Sequence, residues 1–358
     1  MVPKAIKGNL LTILALLVLA GCANSQTMPG EQDALPHHAA GEFRNPYLLE
    51  KKRGFFNYLK MRYFSEEKFA DNSGAREKIP MVVPDLRLIQ NPQAAPQVTW
   101  IGHATVLIQY KGVNVLTDPI FSDRASPLPF AGPKRFNQPA LALADLPPID
   151  FVVLSHNHYD HLDQASIKGI GNSALWLVPL ANGKLLQALG ISAERIIELD
   201  WWDTKKIPGV TVTATPAQHW SARSLWDRNE SLWASWLIQY ENFTVWYSGD
   251  TGYNPYQFKE IGSRFPDIDV ALISIGAYAP RWFMKDMHIN PEEAVQIHQE
   301  IGSRYSIGVQ WGTFVLTAEP LEEPPRKLQE ALKKKGIPAN EFETMAIGAT
   351  KQLELQRQ

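Results

Sequence analysis

The feature that most constrains this chain is a group of potential metal ligands that follows an apolar segment directly. After FVVL (151–154) come His156, His158, Asp160 and His161, so three of the nine histidines lie within six positions. Alternate residues of an extended chain point the same way, so His156 and His158 can face one ion. Asp160 and His161, where the chain turns, can serve a second ion. Imidazole and carboxylate ligands without sulfur favour zinc, with iron or manganese as alternatives.

Two later segments offer further ligands in the same kind of position. His219 follows TVTATPA, and Asp250 follows TVWYSG in a glycine-flanked turn. Both side chains come just after a predicted strand, where a carboxylate could bridge two ions. The sequence therefore predicts a metal site assembled from the ends of several strands.

The pattern of strands and helices predicts a layered protein. Two apolar segments separated by Lys111 and Gly112 predict a β-hairpin, VTWIGHATVLIQY followed by VNVLTDPIF. A later helix is predicted over NPEEAVQIHQEI, with Asn290 as its cap and Pro291 in its first turn. Strands that first form meanders and then alternate with helices indicate an α/β or α+β sandwich.

The first 22 residues have the features of an export signal. Lys4 and Lys7 precede the uncharged stretch LLTILALLVLA, which ends in LAGC (19–22). This ending resembles bacterial lipoprotein signals, in which Cys22 becomes the lipidated first residue of the mature chain. An uncleaved membrane anchor is the alternative. Ala23 stands where an aspartate would signal inner-membrane retention, so we expect an outer-membrane lipoprotein that faces the periplasm.

The segments between the signal and the main domain are predicted to be a tether and an extension. Residues 23–42 are polar and contain proline and glycine, which predicts a flexible tether with solvated His37 and His38. Residues 43–97 are predicted to pack on a domain that spans 98–358. The stripe formed by Phe55, Tyr58, Leu59 and Tyr63 predicts an amphipathic helix against that domain, and membrane contact is the alternative.

The charge of the chain argues against one class of partner. Its formal net charge is −2, whereas nucleic-acid-binding proteins usually carry a basic surplus. We therefore expect no nucleic acid partner. Cys22 is the only cysteine, so no cysteine remains for a disulfide or a thiolate metal ligand.

The order of these motifs resembles the metallo-β-lactamase fold, a four-layer αβ/βα sandwich with its metal site along one edge. Between about residues 98 and 325 the chain contains the motifs WIGHATVLI, DPIFSDRASP, FAGPKRF, SHNHYDHLD, SGDTGY, IGAYAPRWFM and EEAVQIH. Together they resemble the N-acyl-phosphatidylethanolamine-hydrolysing phospholipase D family. This resemblance implies a zinc phosphodiesterase that cleaves a phospholipid, most simply N-acyl-phosphatidylethanolamine, to phosphatidate and an N-acylethanolamine.

The resemblance also implies roles for individual residues. One zinc ion would be held by His156, His158 and His219, and the other by Asp160 and His161, with Asp250 between them. Asp160 would also orient the attacking hydroxide. His288, in KDMHIN, would bind the phosphoryl group or assist the leaving group, and a loop histidine without a role is the alternative.

One position departs from the family pattern. The family has a histidine before W-G-T-F as its last metal ligand, and this chain has Gln310 there. An amide offers only a neutral carbonyl oxygen, which is a weaker zinc ligand than imidazole. Two interpretations follow: an enzyme with one or two zinc ions and a looser second site, or a decayed enzyme kept as a binding protein.

Other functions share the same ligands. A lactonase or another phosphodiesterase would have the same metal set, and a non-catalytic lipoprotein that binds metal or lipid is the competitor from another class. His103 in IGHAT is expected to support the site rather than bind metal, and His298 is expected to pack in the core. The tryptophans around His219 are expected to be core residues, with an acyl-chain groove as the alternative; they are Trp201, Trp202, Trp226, Trp233 and Trp236.

Overall fold

The computed structural model describes residues 35–48 and 55–354. The predicted signal over 1–22, with Cys22, and most of the predicted tether, 23–34, lie outside the described residues. None of the helices in the described parts of the chain is long and apolar enough to cross a membrane.

The described residues contain sixteen strands. The first eight are β1 (His38–Ala39), β2 (Glu42–Phe43), β3 (Gln97–Gly102), β4 (Thr105–Tyr110), β5 (Val113–Thr117), β6 (Phe151–Val153), β7 (Leu175–Pro179) and β8 (Ile196–Leu199). The others are β9 (Thr204–Ile207), β10 (Val210–Thr215), β11 (Ser235–Gln239), β12 (Thr244–Tyr247), β13 (Val270–Ser274), β14 (Tyr305–Val309), β15 (Phe342–Thr344) and β16 (Thr350–Gln352).

Eight α-helices lie among these strands. They are α1 (Phe55–Phe64), α2 (Leu86–Gln90), α3 (Gln164–Ile170), α4 (Gly183–Ala188), α5 (Gln257–Arg264), α6 (Arg281–Met284), α7 (Pro291–Ile301) and α8 (Glu323–Lys335), counted over the same described ranges. The predicted capping box of α7 is confirmed, since Asn290 accepts from the Glu293 amide and Glu293 accepts from the Asn290 amide.

Fourteen of the strands form two seven-stranded sheets. The first has the order β16-β3-β4-β5-β6-β7-β8, and the second has the order β15-β14-β13-β12-β11-β10-β9. Each sheet is antiparallel in one half and parallel in the other. The predicted hairpin is confirmed, because β4 and β5 pair antiparallel with Tyr110 opposite Val113.

The alternation of side chains along the strands produces the layers. In and just after β6, Phe151 and Val153 join the large core that also contains the second sheet, whereas Val152 and Leu154 join a smaller core with α2, α3 and α4. Helices α5, α7 and α8 cover the second sheet through residues such as Phe258 and Val295. The order is helices, sheet, sheet, helices, which is the four-layer αβ/βα sandwich expected from the sequence.

The directions of the strands create one shared edge. In the first sheet β5 and β6 are parallel, and β3 runs in the same direction because two antiparallel pairings separate it from β5. In the second sheet β12, β13 and β14 are parallel, and β10 runs with them because two antiparallel pairings separate it from β12. Residues that follow these strands therefore emerge along the same edge of the sandwich. That edge is where the predicted metal ligands lie.

The expectation that His37 and His38 are solvated is wrong for His37, which is buried, while His38 is partly exposed. Residues 38–43 form the small β1–β2 hairpin, and the His37 side chain is buried against the indole of Trp201, with ring centroids 4.1 Å apart. Its Nε2 lies 2.6 Å from Asp200 Oδ1, and His38 Nε2 lies 2.7 Å from Asp200 Oδ2. The polar composition of this segment suggested exposure to solvent, because the partner, Asp200, lies about 160 positions away in the sequence.

The expected apolar stripe of α1 is also wrong at two of its positions. Tyr58 and Tyr63 are exposed, and among the helix side chains that the structure describes, 56–64, Met61 is the buried one. The extension contributes to the core further along the chain, since Ala75 and Ile79 belong to the large core and Ile89 to the smaller one. The exposed side of α1 keeps the membrane-contact alternative open.

Candidate metal centre

The ends of strands that share one direction bring the predicted site residues together. His156, His158, Asp160 and His161 follow β6, His219 follows β10, Asp250 follows β12 and Gln310 follows β14. All are fully or largely buried. The residues that follow strands of the same direction lie at one edge of a sheet. Ligands spread over about 150 positions of the chain therefore meet there.

Three imidazole nitrogens converge at one point. His158 Nδ1 lies 2.8 Å from His156 Nε2 and 3.2 Å from His219 Nε2. The other ring nitrogen of His219, Nδ1, lies 2.8 Å from the carbonyl oxygen of Met287, to which its N–H donates. This contact orients the ring and leaves the Nε2 lone pair of His219 directed at the other two histidines.

The electrostatics of this triad favour neutral imidazoles. Burial lowers the pKa of His156 and of His219 well below the usual value, and it lowers the pKa of His158 to about 3. Neutral rings with converging lone pairs are the form in which histidine binds metal. Tetrahedral zinc with Zn–N bonds of about 2.0–2.1 Å needs nitrogens roughly 3.3 Å apart, close to the spacing seen here.

A second group of donors lies beside the triad. His161 Nε2 is 3.4 Å from Asp160 Oδ2 and 3.2 Å from Asp250 Oδ2. The same Asp250 oxygen is 3.9 Å from His219 Nε2, so it lies between the two groups. This arrangement can hold a second cation with a carboxylate shared between the two positions.

The second group attracts positive charge. Burial opposes a charged His161, but the carboxylates of Asp250, Asp160 and Asp118 outweigh it and raise its pKa well above the usual value. Burial also disfavours the charged carboxylates, yet the nearby imidazoles hold the pKa values of Asp160 and Asp250 well below the usual range. A buried position that stabilises a proton this strongly is suited to a metal cation.

Gln310 lies at this second group. Its side chain is buried, and its Nε2 is 3.3 Å from His161 Nε2. Its backbone has a left-handed φ of 58°, and its amide nitrogen donates to the His103 carbonyl at 2.9 Å. Gln310 is thus fixed by its main chain with its side chain next to His161, where the family's last ligand is expected.

Unpaired polar atoms show that this chain can accept a metal here. Two buried oxygens of the centre have no hydrogen-bond partner among the described residues: Asp250 Oδ1 and Gln310 Oε1. Buried polar atoms without partners are uncommon in folded proteins because each costs about 1–3 kcal/mol. The donors are nitrogens and oxygens of the types that bind zinc and related cations, so residues and metal fit each other.

Asp118 is a residue of the centre that the sequence interpretation missed. It follows β5 at the same edge, is fully buried, and accepts hydrogen bonds from Tyr247 at 2.6 Å and from the Ser155 amide at 2.7 Å. His161 Nδ1 donates to its Oδ2 at 2.6 Å, which directs His161 Nε2 at the site. The signal in the sequence was the aspartate of TDPIF, which comes just after a strand as Asp250 does.

His103 supports the second group, in agreement with the expectation from the sequence. It is buried, and its Nε2 lies 3.0 Å from Asp160 Oδ2. Burial lowers its pKa, so the neutral ring donates an N–H to the carboxylate. His298 is likewise buried as expected, with Nδ1 2.8 Å from the Ser306 hydroxyl.

His288 lies at the mouth of the centre. Its Nδ1 is 3.7 Å from Asp250 Oδ2, and its ring meets that of His219 edge-on at 5.0 Å. The His288 side chain is 13% exposed, whereas the Asp250 side chain is 2% exposed. The guanidinium of Arg281 donates to its backbone carbonyl at 2.8 Å. The ring is therefore fixed beside the metal donors and still accessible to a substrate.

Exposed apolar side chains lie on two loops that contact Tyr159 of the ligand loop and on α6. Tyr159, within the ligand loop, donates to the Arg223 carbonyl at 2.8 Å, and it lines a groove of about 350 Å³ with Leu128 and Pro129. The two loops that meet Tyr159 carry four exposed apolar residues, and α6 adds a fifth before His288; they are Leu128, Phe130, Leu225, Trp226 and Trp282. Trp226 is thus not a core residue, whereas Trp201, Trp233 and Trp236 are buried and Trp202 is partly buried.

Comparison with known proteins agrees with the class that this geometry defines, a metal-dependent hydrolase. The family model described as the beta-lactamase superfamily domain matches residues 113–311. Igni18, a novel metallo hydrolase of the archaeon Ignicoccus hospitalis, has a similar structure with a TM-score of 0.56 at 20% identity. This likeness covers 73% of this chain and 100% of that chain, and it shows the fold.

Two curated relatives are similar in sequence. The chain is 45% identical over 245 residues to N-acyl-phosphatidylethanolamine-hydrolyzing phospholipase D 1 of Caenorhabditis elegans, which covers 65% of this chain and 69% of the relative. It is 39% identical over 239 residues to the mitochondrial N-acyl-phosphatidylethanolamine-hydrolyzing phospholipase D of Saccharomyces cerevisiae, covering 64% of this chain and 50% of the relative. The chain belongs to the beta-lactamase superfamily, and the predicted fold class and resemblance are confirmed.

Proposed function

We propose that this protein is a zinc-dependent phosphodiesterase that hydrolyses N-acyl-phosphatidylethanolamine to phosphatidate and an N-acylethanolamine. The observation that carries the proposal is the position of Asp250 Oδ2 between the histidine triad and His161, 3.9 Å from His219 and 3.2 Å from His161. Such a shared carboxylate suits two cations that clamp one phosphate. The substrate class follows from the names of the two curated relatives.

The proposed metal ligands are those predicted from the sequence. His156, His158 and His219 would hold one ion through three nitrogens. Asp160, His161 and Gln310 would hold the other, and Asp250 would contribute to both. When bound, zinc acidifies a water molecule to a pKa of about 7 and offsets the negative charge of the phosphoryl oxygens.

The protein residues then position the reactants. Asp160, whose Oδ2 accepts from His103 at 3.0 Å, can accept a hydrogen bond from the attacking water at its other oxygen and orient it. The water oxygen forms a bond to phosphorus as the bond from phosphorus to the ethanolamine oxygen breaks, and that oxygen takes up a proton. Burial lowers the pKa of His288 while Asp250 opposes the shift, so a neutral His288 ring can donate an N–H to a phosphoryl oxygen.

The exposed apolar side chains fit a substrate that is embedded in a lipid surface. Trp226 is 86% exposed and Phe130 is 76% exposed, on the two loops that meet at Tyr159. Exposed aromatic and aliphatic side chains around a site are suited to insertion among lipid head groups and acyl chains. The predicted lipidation of Cys22 would hold the domain at the outer membrane, facing the periplasm, where phospholipid is available.

Turnover of a small substrate panel tests the proposal. The panel contains N-acyl-phosphatidylethanolamine, plain phosphatidylethanolamine, a soluble phosphodiester and a lactone, with the metal content measured alongside. We expect the N-acylated lipid to be the preferred substrate, and ¹⁸O from labelled water to appear in phosphatidate. His156→Ala and His219→Ala should abolish turnover and lower the bound zinc, whereas His298→Gln, at a buried histidine outside the centre, should not.

Three results would overturn the proposal. Preference for the lactone would indicate a different hydrolase on the same fold. Binding of metal and lipid without turnover would indicate a non-catalytic lipoprotein. Unchanged activity in either alanine variant would exclude the proposed metal ligands.

A further inference from the structure

The two groups of donors differ in chemistry. The first offers three imidazole nitrogens, from His156, His158 and His219, together with a share of Asp250. The second offers one imidazole nitrogen, from His161, and otherwise oxygens, because residue 310 is a glutamine. The imidazole of His103 also lies nearby, but its Nε2 donates to Asp160 Oδ2 at 3.0 Å and so offers no lone pair there. The structure therefore contains one nitrogen-rich and one oxygen-rich position, with Asp250 Oδ2 between them.

The backbone keeps Gln310 directed at the second position. Its amide nitrogen donates to the His103 carbonyl at 2.9 Å, and its carbonyl oxygen lies so close to Gly276 that a Cβ there would be 2.2 Å away. This close approach on one side and the hydrogen bond on the other leave the main chain little freedom to withdraw. The Gln310 side chain is 2% exposed, so it has no route to solvent.

The amide oxygen of Gln310 lacks a partner. Its Nε2 lies 3.3 Å from His161 Nε2, and its Oε1 has no hydrogen-bond partner among the described residues. Rotation about the last side-chain bond exchanges these two atoms of nearly equal size. After the exchange Oε1 faces the same point as His161 Nε2, whose ring is fixed by its bond to Asp118.

The charge around this point also requires a cation. The carboxylates of Asp160 and Asp250 approach His161 from one side and that of Asp118 from the other. A family histidine at position 310 would add a nitrogen ligand, whereas the neutral amide adds only an oxygen dipole. Carboxylate and amide oxygens suit manganese, magnesium and calcium, while imidazole suits zinc.

We propose that the centre is heteronuclear, with zinc at the histidine triad and an oxygen-preferring divalent cation of the manganese class at the position formed by Asp160, His161, Asp250 and Gln310. The proposal rests on the proposed function, because it concerns the second ion of the same centre. Zinc binds more tightly than manganese to most sites with nitrogen and oxygen donors. The proposal therefore concerns the ratio of manganese affinity to zinc affinity at each position. The ratio of manganese to zinc affinity is higher at the second position than at the first.

Metal titration of the full-length protein tests the proposal without any substrate. The protein is stripped with a chelator, and one sample is titrated with zinc alone to give the zinc affinity of each position. A second sample receives one equivalent of zinc and then manganese, while free and bound Mn²⁺ are measured by electron paramagnetic resonance. We expect one zinc and one manganese ion per chain. Gln310→His should raise the zinc affinity of the second position by about tenfold or more, since even partners outside the ligand set are worth about 10–100-fold. The change for manganese should be smaller, because imidazole suits zinc better than manganese, and zinc should then displace manganese there. Gln257→His, at a buried glutamine outside the centre, is the matched control and should leave both affinities unchanged.

The possible results separate the alternatives. Two zinc ions bound with equal affinity in the wild type would overturn the proposal. A single zinc ion in the wild type, with no bound manganese, would also overturn the proposal. It would mean that the contact of Gln310 Nε2 with His161 Nε2 blocks metal binding at the second position. Failure to hydrolyse N-acyl-phosphatidylethanolamine would overturn the proposed function alone, because the titration reports metal binding and not turnover.

Discussion

Asp118 Oδ2 accepts a hydrogen bond from His161 Nδ1 over 2.6 Å, although 43 positions separate the two residues. Both side chains are fully buried. The bond selects the His161 tautomer that keeps Nε2 free for a metal. Carboxylates that orient a ligating histidine in this way typically affect metal affinity by 10–100-fold.

Asp118→Asn should therefore weaken metal binding at the second position by about 10–100-fold. Competition with a chromogenic chelator measures this affinity. Tyr247→Phe is the matched control, since it removes another hydrogen bond to Asp118 and leaves the contact with His161. The control should lower thermal stability and retain metal affinity. Equal metal affinities in wild type and Asp118→Asn would contradict the role of Asp118.

Asp200→Asn should release the β1–β2 hairpin from the domain. The carboxylate accepts from His37 and His38 at 2.6 and 2.7 Å, and these bonds lower the pKa of Asp200 although burial opposes the shift. Hydrogen bonds to a charged group contribute about 1.5–3 kcal/mol, so we expect amide exchange to accelerate at least tenfold. Hydrogen exchange at Arg44, whose amide donates to the His37 carbonyl, measures this opening. His38→Asn should have a smaller effect, and unchanged exchange in both variants would show that other contacts hold the hairpin.

His298 should make stability depend on pH in the acidic range. Burial lowers its pKa to about 4, against an ordinary value of 6.5. The unfolded chain therefore binds the proton more readily, and stability falls as the pH decreases from about 6.5 to about 4, by at most about 3 kcal/mol. Thermal unfolding of metal-free wild type and His298→Gln across this range should show a steeper loss in the wild type. Parallel curves would contradict the prediction.

The exposed loop after His219 should matter only for membrane substrates. Leu225 and Trp226 are 77% and 86% exposed. The double variant Leu225→Ser with Trp226→Ser should lower turnover of lipid in vesicles about tenfold or more. Complete burial of two large apolar side chains contributes several kcal/mol, and their partial burial in a lipid interface contributes a smaller part of that free energy. Turnover of a soluble phosphodiester should not change. Val83→Ser, at a residue 94% exposed outside these loops, is the matched control. An equal loss on both substrates would mean that the loop shapes the centre itself.

Cys22→Ala tests the predicted lipid anchor. The motif LAGC at 19–22 predicts that the variant remains an unlipidated precursor and is lost from the outer-membrane fraction. Membrane fractionation after a high-salt wash, with metabolic labelling by palmitate, measures both effects. Ser25→Ala keeps the cysteine and should behave as the wild type. A variant that still fractionates with the outer membrane would contradict the lipoprotein interpretation.

The sequence by itself determined the features that depend on neighbouring residues. The β4–β5 hairpin follows from two apolar strands joined by Lys111 and Gly112, whose left-handed φ values of 50° and 77° make the tight turn. The α7 capping box follows from Asn290 and Glu293 three positions apart. The histidine cluster was predictable as a metal site because its ligands are close in the chain and come just after a strand.

Tertiary structure decided what depends on residues far apart in the chain. His161 is paired with Asp118 because β5 and β6 are parallel neighbours, and His37 meets Asp200 because a polar segment packs on Trp201. The periodicity of α1 predicted a buried stripe that includes Tyr58 and Tyr63, yet both are exposed, and Met61 is buried instead. Local patterns fix which groups a segment can offer. Only the packing of the two sheets determines which groups meet, because the energy of each contact depends on a partner that the local sequence does not contain.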